Sequence, residues 1–155
     1  MTDSAPNGNR ILAVGVHPRV CALPLMQVIE TMRPLPVEPI AGVPSFVRGV
    51  SIIRGVPTPV VDLGALLGMP GGAAGRFVTL RVGKRQVALS VDAVLGVQNL
   101  DSATIQELPP LFQEASEHVI DAIGTLDTQL LVVLRQGWEL PDEVWQALAA
   151  DEVFR

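Results

Sequence analysis

A hairpin-like pattern that occurs twice constrains the fold of this chain more than any other feature. The stretch at residues 46–68, FVRGVSIIRGVPTPVVDLGALLG, returns in weakened form at residues 122–136 without a gap. A second block at residues 11–30 returns at residues 77–96 with a constant offset. Because both blocks recur in the same order, the sequence predicts one ancestral unit of about 65 to 70 residues that is used twice.

The tips of the two copies of this hairpin differ. Arg54-Gly55 in the first copy aligns with Asp127-Thr128 in the second, so we expect binding at the first tip. The apolar positions are retained, since Val50 aligns with Ile123 and Ile53 with Leu126. In the second pair of blocks the identical residues are Val16 and Val82, Arg19 and Arg85, Ala22 and Ala88, Leu23 and Leu89, and Val28 and Val94.

Composition narrows the class of protein. The chain has 155 residues, of which 48% are hydrophobic and 17% charged, so one domain or two small subdomains with a shared core are expected. A net charge of -5 argues against nucleic acid as a partner. No apolar run approaches the roughly 20 residues of a membrane span, and the first residues lack a signal-peptide pattern. We therefore expect a cytoplasmic protein.

Short apolar strands separated by Gly and Pro turns predict an all-β fold, in which the duplication favours two small barrels over a sandwich. Prolines at Pro57 and Pro59 remove two donors from one side of a strand, which predicts an edge or a bulge there. Residues 26–32 form one helical turn at best. The expected organisation is a disordered lead-in at 1–9 and a single domain at 10–155, with subdomain 1 at 10–68, a linker at 69–75, subdomain 2 at 76–136 and a C-terminal helix at 141–150.

Candidate catalytic groups are few. Asp62 and Asp92 each end an apolar strand, but they do not align within the repeat and lack the following residues of an aspartic-protease site. Capping or turn roles are expected for both, with an aspartate-dependent enzyme as a remote alternative. His17 and His118 have no metal-ligand spacing, and Cys21 is the only cysteine. The sequence therefore predicts no catalytic residues, no metal and no cofactor.

Several fragments together resemble the CheW family of chemotaxis coupling proteins. The resemblance covers about residues 11–135 and is strongest in the first copy. It is carried by Leu23-Pro24-Leu25, Val28-Ile29-Glu30, Pro44, Phe46-Val47, Gly49-Val50, Arg54-Gly55, Pro59-Val60-Val61-Asp62-Leu63 and Val91-Asp92-Ala93-Val94.

The resemblance implies two five-stranded barrels of the Src-homology-3-like kind, with short helices, around a shared core. It also implies a non-catalytic adaptor that couples methyl-accepting chemoreceptors to a histidine kinase in signalling arrays. The implied partners are the cytoplasmic tip of the receptor and the kinase regulatory domain, with possible self-association in rings. The resemblance implies contact with the membrane only indirectly, through the receptors. The matching positions expected near partner surfaces are Val28, Glu30, Gly49 and Arg54.

The chain departs from the family pattern around this expected surface. Ile52 stands where the family usually has Asn, and Ser51 where an apolar residue is common. Pro57 replaces a usual strand residue, and Thr31 follows Glu30 where Ile is typical. A CheW-like scaffold of another pathway, such as surface motility, with different partners is therefore the alternative function.

Overall fold

A computed structural model describes residues 10–69, 75–100, 120–126, 129–134 and 138–150. The expected lead-in at 1–9 and most of the expected linker lie outside the described residues. Within them, ten strands are interrupted by a 3-10 turn at Leu25–Gln27 and two short helices, α1 (Leu63–Leu66) and α2 (Asp142–Ala149). The strands are β1 (Arg10–Val16), β2 (Arg19–Pro24), β3 (Val28–Met32), β4 (Val47–Ile53), β5 (Val56–Asp62), β6 (Arg76–Val82), β7 (Arg85–Val91), β8 (Ala93–Asn99), β9 (Ile120–Leu126) and β10 (Gln129–Leu134).

The repeat predicted from sequence has a direct structural counterpart. The blocks that recur correspond to the antiparallel hairpins β1–β2 and β6–β7, and to the hairpins β4–β5 and β9–β10. Residues 26–32, expected to hold one helical turn at best, lead from the 3-10 turn into β3. The single turn is present, but strand β3 was not predicted, because it pairs with β6 in a long-range contact that local apolar spacing does not reveal.

The ten strands form two five-stranded sheets that exchange strands between the halves of the chain. Sheet 1 has the order β8-β1-β2-β10-β9, and sheet 2 has the order β3-β6-β7-β5-β4. Each sheet joins one hairpin from one repeat to three strands of the other, through a parallel pairing of β2 with β10 or of β5 with β7. The sheets therefore do not follow the expected division into residues 10–68 and 76–136.

The core has three parts that follow the two-residue period of the strands. In β1, for example, Ile11 and Ala13 belong to a small cluster associated with sheet 1, whereas Leu12 and Val14 belong to a large cluster that draws on both sheets. A third cluster, associated with sheet 2, includes Phe77. Both faces of the central strands are thus buried, as expected for two small barrels packed on a shared apolar core.

The short helices complete this arrangement. Asp62 caps α1, since its carboxylate accepts a hydrogen bond from the backbone N–H of Ala65, and the helix is followed by Gly68 with a φ of 81°. The predicted C-terminal helix is α2, which buries Val144 and Leu148 in the shared core. The chain before α2 adds Trp138, so this end of the chain is anchored by large apolar side chains.

The two prolines of β5 predicted either an edge strand or a bulge, and the structure shows neither at that place. β5 lies between β7 and β4, and the irregularity of the β4–β5 ladder occurs at Val47/Gly49 rather than at the prolines. The pairing of β5 with β7 begins only at Val60. The prolines are accommodated because this stretch of an inner strand is left unpaired on one side.

Candidate protein-interaction site

The β4–β5 hairpin ends in a two-residue turn at Arg54-Gly55. Ile53 pairs with Val56, so these two residues alone make the connection. Both have positive φ, 50° for Arg54 and 80° for Gly55, as tight hairpin turns of this length require. A positive φ is uncommon for a residue other than glycine, so the backbone conformation of Arg54 is a specific feature of this hairpin tip.

Arg54 forms a two-point ion pair with Glu30 of the edge strand β3. Its Nε donates to Glu30 Oε2 at 2.6 Å and its Nη2 donates to Glu30 Oε1 at 2.7 Å. The side chain of Arg54 is 76% exposed and that of Glu30 is 25% exposed. We call this pair the Glu30–Arg54 clasp. Because exposed ion pairs add little to folding stability, the clasp mainly defines the shape and charge of the surface.

The clasp shifts the titration of both groups. Hydrogen bonds from Arg54 and the charge of its guanidinium hold the pKa of Glu30 below its ordinary value, against the opposing effect of partial burial. The hydrogen bonds and charge of Glu30 in turn raise the pKa of Arg54. The pair is therefore fully charged at neutral pH.

Replacing Arg54 with glutamine should return the pKa of Glu30 towards its ordinary value of 4.5. The lowered pKa means that the clasp favours folding at neutral pH and that this contribution is lost as pH falls through the pKa of Glu30 in the folded protein. Titration of the Glu30 side-chain carbon by NMR, in the parent and in Arg54→Gln, measures both values. An unchanged pKa in the variant would contradict the clasp.

Three exposed apolar side chains flank the clasp along the chain. Ile29 precedes Glu30 and is 42% exposed, while Ile52 and Val56 lie on either side of the hairpin tip and are 55% and 46% exposed. We call these three residues the tip patch. Ile52 pairs with Pro57 and Val56 pairs with Ile53, so Ile52 and Val56 lie on opposite faces of the hairpin. Exposed apolar side chains on both sides of a defined charge pair are surface that a protein partner can cover.

Gly49, another predicted site residue, has a packing role. It is buried and has a φ of 145°, and a β-carbon there would overlap the carbonyl oxygen of Glu38. Glu38 and Val50 exchange both backbone hydrogen bonds, at 2.8 and 2.9 Å, which holds the proline-rich segment, residues 33–44, against β4. Ser51 strengthens this contact by donating from Oγ to the carbonyl of Pro36 at 2.7 Å, which gives a reason for its departure from the family pattern.

Of the four predicted site residues, the structure brings Glu30 and Arg54 into contact. Val28 begins the same edge strand as Glu30, is half-buried and packs against the shared core. Gly49 lies in the interior of β4, away from the tip. Partner contacts at all four positions stay a prediction. The exposure of Ile29 and Val56 was missed, and only the unusual Ile52 gave a sequence signal for the tip patch.

The residues considered for catalysis have local structural roles. Asp62 Oδ2 accepts from Arg48 Nη2 at 2.9 Å while its other oxygen caps α1. Asp92 Oδ2 accepts from the backbone N–H of His17 at 2.7 Å. Both aspartates therefore act as the caps and turn residues that the sequence suggests.

Cys21 is also buried. Burial raises the pKa of its thiol to about 12, so the thiol stays protonated at neutral pH.

The described part of the chain contains no group of three or more His, Cys, Asp or Glu side chains placed to hold a metal ion. None of its helices has the length and apolar character needed to cross a membrane.

Comparison with known proteins gives the family. Residues 10–137 match the family model described as the CheW-like domain. The chain belongs to the CheW-like domain family. As a member of this family it is a non-catalytic scaffold protein, which agrees with the structural roles of its aspartates.

Two chemotaxis proteins match the CheW-like chain over nearly their whole length. The chemotaxis protein CheW of Rhizobium meliloti (strain 1021) is 25% identical over 154 residues, covering 95% of this chain and 99% of the relative. The chemotaxis protein CheW of Bacillus subtilis (strain 168) is 24% identical, covering 98% and 99%. The crystal structure of the scaffolding protein TtCheW from Thermoanaerobacter tengcongensis has a TM-score of 0.71 at 22% identity, covering 83% of this chain and 90% of that one. This likeness confirms the predicted fold of two Src-homology-3-like subdomains.

Proposed function

We propose that this CheW-like protein is an adaptor of chemotaxis signalling arrays. In this role it couples the cytoplasmic tip of methyl-accepting chemoreceptors to the regulatory domain of a histidine kinase. The proposal is supported by membership of the family and by relatives that carry the name chemotaxis protein CheW. Because receptor tips and kinase lie in the cytoplasm, the proposal also places this protein there.

The observation that carries the proposal is the Glu30–Arg54 clasp with the tip patch around it. The clasp presents a rigid charge pair, since two hydrogen bonds and a two-residue turn hold the guanidinium. Ile29, Ile52 and Val56 supply apolar area that a partner would cover. A mostly exposed arginine beside apolar side chains is the combination from which binding hot spots are commonly built.

A partner of the same fold is suited to such a surface. The kinase regulatory domain has the same fold by the family's pattern, so it can present an equivalent hairpin and edge strand. Repeated contacts of this kind, end to end, would give the rings expected of the family. Val28, half-buried on β3, is proposed to lie near one of the two partner surfaces.

Arg54→Glu should weaken binding of one partner by about tenfold or more, because it breaks the clasp and places two carboxylates together at the binding surface. The melting temperature should change little, since an exposed turn residue shifts stability by less than about 0.5 kcal/mol. The measurement is co-sedimentation of the purified protein with receptor-bearing membranes and kinase, together with a thermal melt.

Arg10→Glu is the matched control, because it makes the same change of charge at an exposed position outside the clasp. It should leave the ternary complex intact. Failure of the parent protein to bind either receptor membranes or kinase would refute the proposed function. Equal loss of folding and binding in Arg54→Glu would show that Arg54 acts on the fold.

A CheW-like scaffold of another pathway, such as surface motility, is the second candidate. It is favoured by Ile52, which is 55% exposed in the tip patch at a position where the family usually has Asn. An apolar residue in place of a polar one suits a different partner surface. A pull-down with the tagged protein from its native lysate distinguishes the two, because recovery of a standard receptor and kinase set would exclude this second candidate.

A further inference from the structure

A groove of about 460 Å³ opens on sheet 2, along strand β5 of the β4–β5 hairpin. It lies between the first residues of β5, the β6–β7 turn and the exposed side of α2. The residues that matter for its chemistry are Pro57, Pro59, Arg81, Lys84, Arg85 and Trp145.

The groove exists because two neighbouring strands are not paired at this end. Val50 exchanges both backbone hydrogen bonds with Glu38, so it forms none with Pro59, the residue opposite it on β5. In an antiparallel ladder the backbone groups of such a pair point away from each other, which turns the nitrogens of Pro57 and Pro59 towards β7. These nitrogens carry no hydrogen, and the β5–β7 ladder starts only at Val60 and Ala88.

Three cations surround this gap in a chain that is acidic as a whole. Arg81, Lys84 and Arg85 are three of its eleven Lys and Arg residues, and all three are exposed. The ion pairs found among the described residues involve Arg48 and Arg54 instead. Glu139 approaches the β6–β7 turn at Gly83, and α2 carries Asp142 and Glu143 in its first turn. The wall formed by β6, β7 and their turn is therefore the positive side of the groove, in a chain with a net charge of -5.

The remaining wall is apolar and preorganised. The guanidinium of Arg85 lies over the ring of Trp145, 4.3 Å from its centroid, so the cation and the indole lie side by side in the groove. Pro57 and Pro59 form the opposite wall, and proline rings lose no rotamer freedom when a ligand covers them. A ligand of this groove would thus place an apolar group between the prolines and Trp145 with anionic groups at its rim.

We propose that the groove is a docking site for an acidic segment of a partner protein, with carboxylates on Arg81, Lys84 and Arg85 and an aliphatic or aromatic side chain against Pro57, Pro59 and Trp145. The charge pattern favours this occupant, because three cations come together in the groove while the chain as a whole carries a net charge of -5. The groove also adjoins the tip patch through Val56, which lines both, so one protein partner can cover the two surfaces. The inference does not depend on which pathway the adaptor serves.

The test uses the full chain and a nine-residue labelled peptide of Glu and Leu in the order Glu-Glu-Leu repeated, with Lys replacing Glu in the control peptide. Fluorescence anisotropy measures affinity. Acrylamide quenching reports the site, since Trp138 is 2% exposed and Trp145 is the accessible one of the two tryptophans. The acidic peptide should bind, protect Trp145 from the quencher and lose affinity as salt is raised.

The double variant Arg81→Glu/Lys84→Glu should lower affinity for the acidic peptide by about tenfold or more. Its matched control is Arg10→Glu/Arg33→Glu, which changes the net charge equally at exposed positions outside the groove and should retain affinity within about twofold. Both pairs lie on exposed positions, so circular dichroism should show that both variants fold.

Three outcomes would overturn the proposal. Equal loss in both double variants would show that only net charge matters. Binding without protection of Trp145 would place the peptide elsewhere. Tighter binding of inorganic polyphosphate than of the acidic peptide, with the same dependence on Arg81 and Lys84, would mark a site for phosphate anions instead. None of these results bears on the receptor and kinase assay, so the two proposals fail separately.

Discussion

Replacing Gly49 with alanine should lower the free energy of unfolding by about 3 to 5 kcal/mol, the range of the severe core and backbone defects. A β-carbon there would overlap the Glu38 carbonyl oxygen and lie within 3.0 Å of Pro39 Cα. These neighbours are backbone atoms, which cannot rotate away as a side chain can. The φ of 145° is also one that residues with a β-carbon rarely adopt. Urea denaturation followed by circular dichroism measures the loss.

Gly55→Ala is the matched control for this prediction. Gly55 also has a positive φ, of 80°, but a β-carbon there meets no atom within 4 Å. The cost should be only about 1 to 2 kcal/mol, from backbone strain alone. The comparison separates the overlap at Glu38 from conformational strain. Equal losses at the two glycines would show that the proline-rich segment does not pack tightly on β4.

Trp138→Ala should also lower the free energy of unfolding by about 3 to 5 kcal/mol. Trp138 is 2% exposed and belongs to the large shared cluster, together with Leu140, Val144 and Leu148. Its removal leaves a cavity between the sheets and the chain that leads into α2, and the backbone around it can collapse only in part. Thermal and urea unfolding of the variant measure the effect.

Trp145→Ala provides the comparison within the same segment. Trp145 is only partly buried and rests against the shared core with Arg85 over its ring, so its loss should cost about 1 to 2 kcal/mol. A loss at Trp138 no larger than at Trp145 would show that α2 is a loosely attached appendage. The larger loss at Trp138 would show that the C-terminal segment is part of the core.

Local features of the fold were predictable because their causes are local. Gly and Pro turns separated by alternating apolar residues indicated the hairpins, and Asp62 before a short apolar stretch indicated a helix cap. The helix expected at 141–150 is observed at Asp142–Ala149, one residue shorter at each end. Where pairing depended on a distant strand, as for residues 28–32, the same local reasoning failed.

The site was predictable in its members and unpredictable in its arrangement. Glu30 and Arg54 were selected separately, from two fragments of the family pattern, and no spacing in the chain relates them. They meet because β3 forms one edge of sheet 2 and the β4–β5 hairpin tip approaches it. Gly49 was selected in the same way. The structure shows that glycine is needed at this position because the backbone of Glu38 packs closely against it.

The groove beside Trp145 could not be predicted from the sequence. The two prolines were noted, but their effect depends on which way their nitrogens face, and the contact of Val50 with Glu38 decides that. The cations and the tryptophan come from segments far apart in sequence, so no motif contains them.

The amino-acid sequence by itself determined that the chain is duplicated, that its unit is built from hairpins, and that it belongs among CheW-like proteins. These properties depend on residue order and on contacts between near neighbours. Only the tertiary structure decided that each barrel takes strands from both halves, since parallel pairing of β2 with β10 and of β5 with β7 joins residues distant in sequence. The same long-range pairing brings Glu30 to Arg54 and leaves the groove open, because the pattern along a strand specifies its buried faces but not its neighbours.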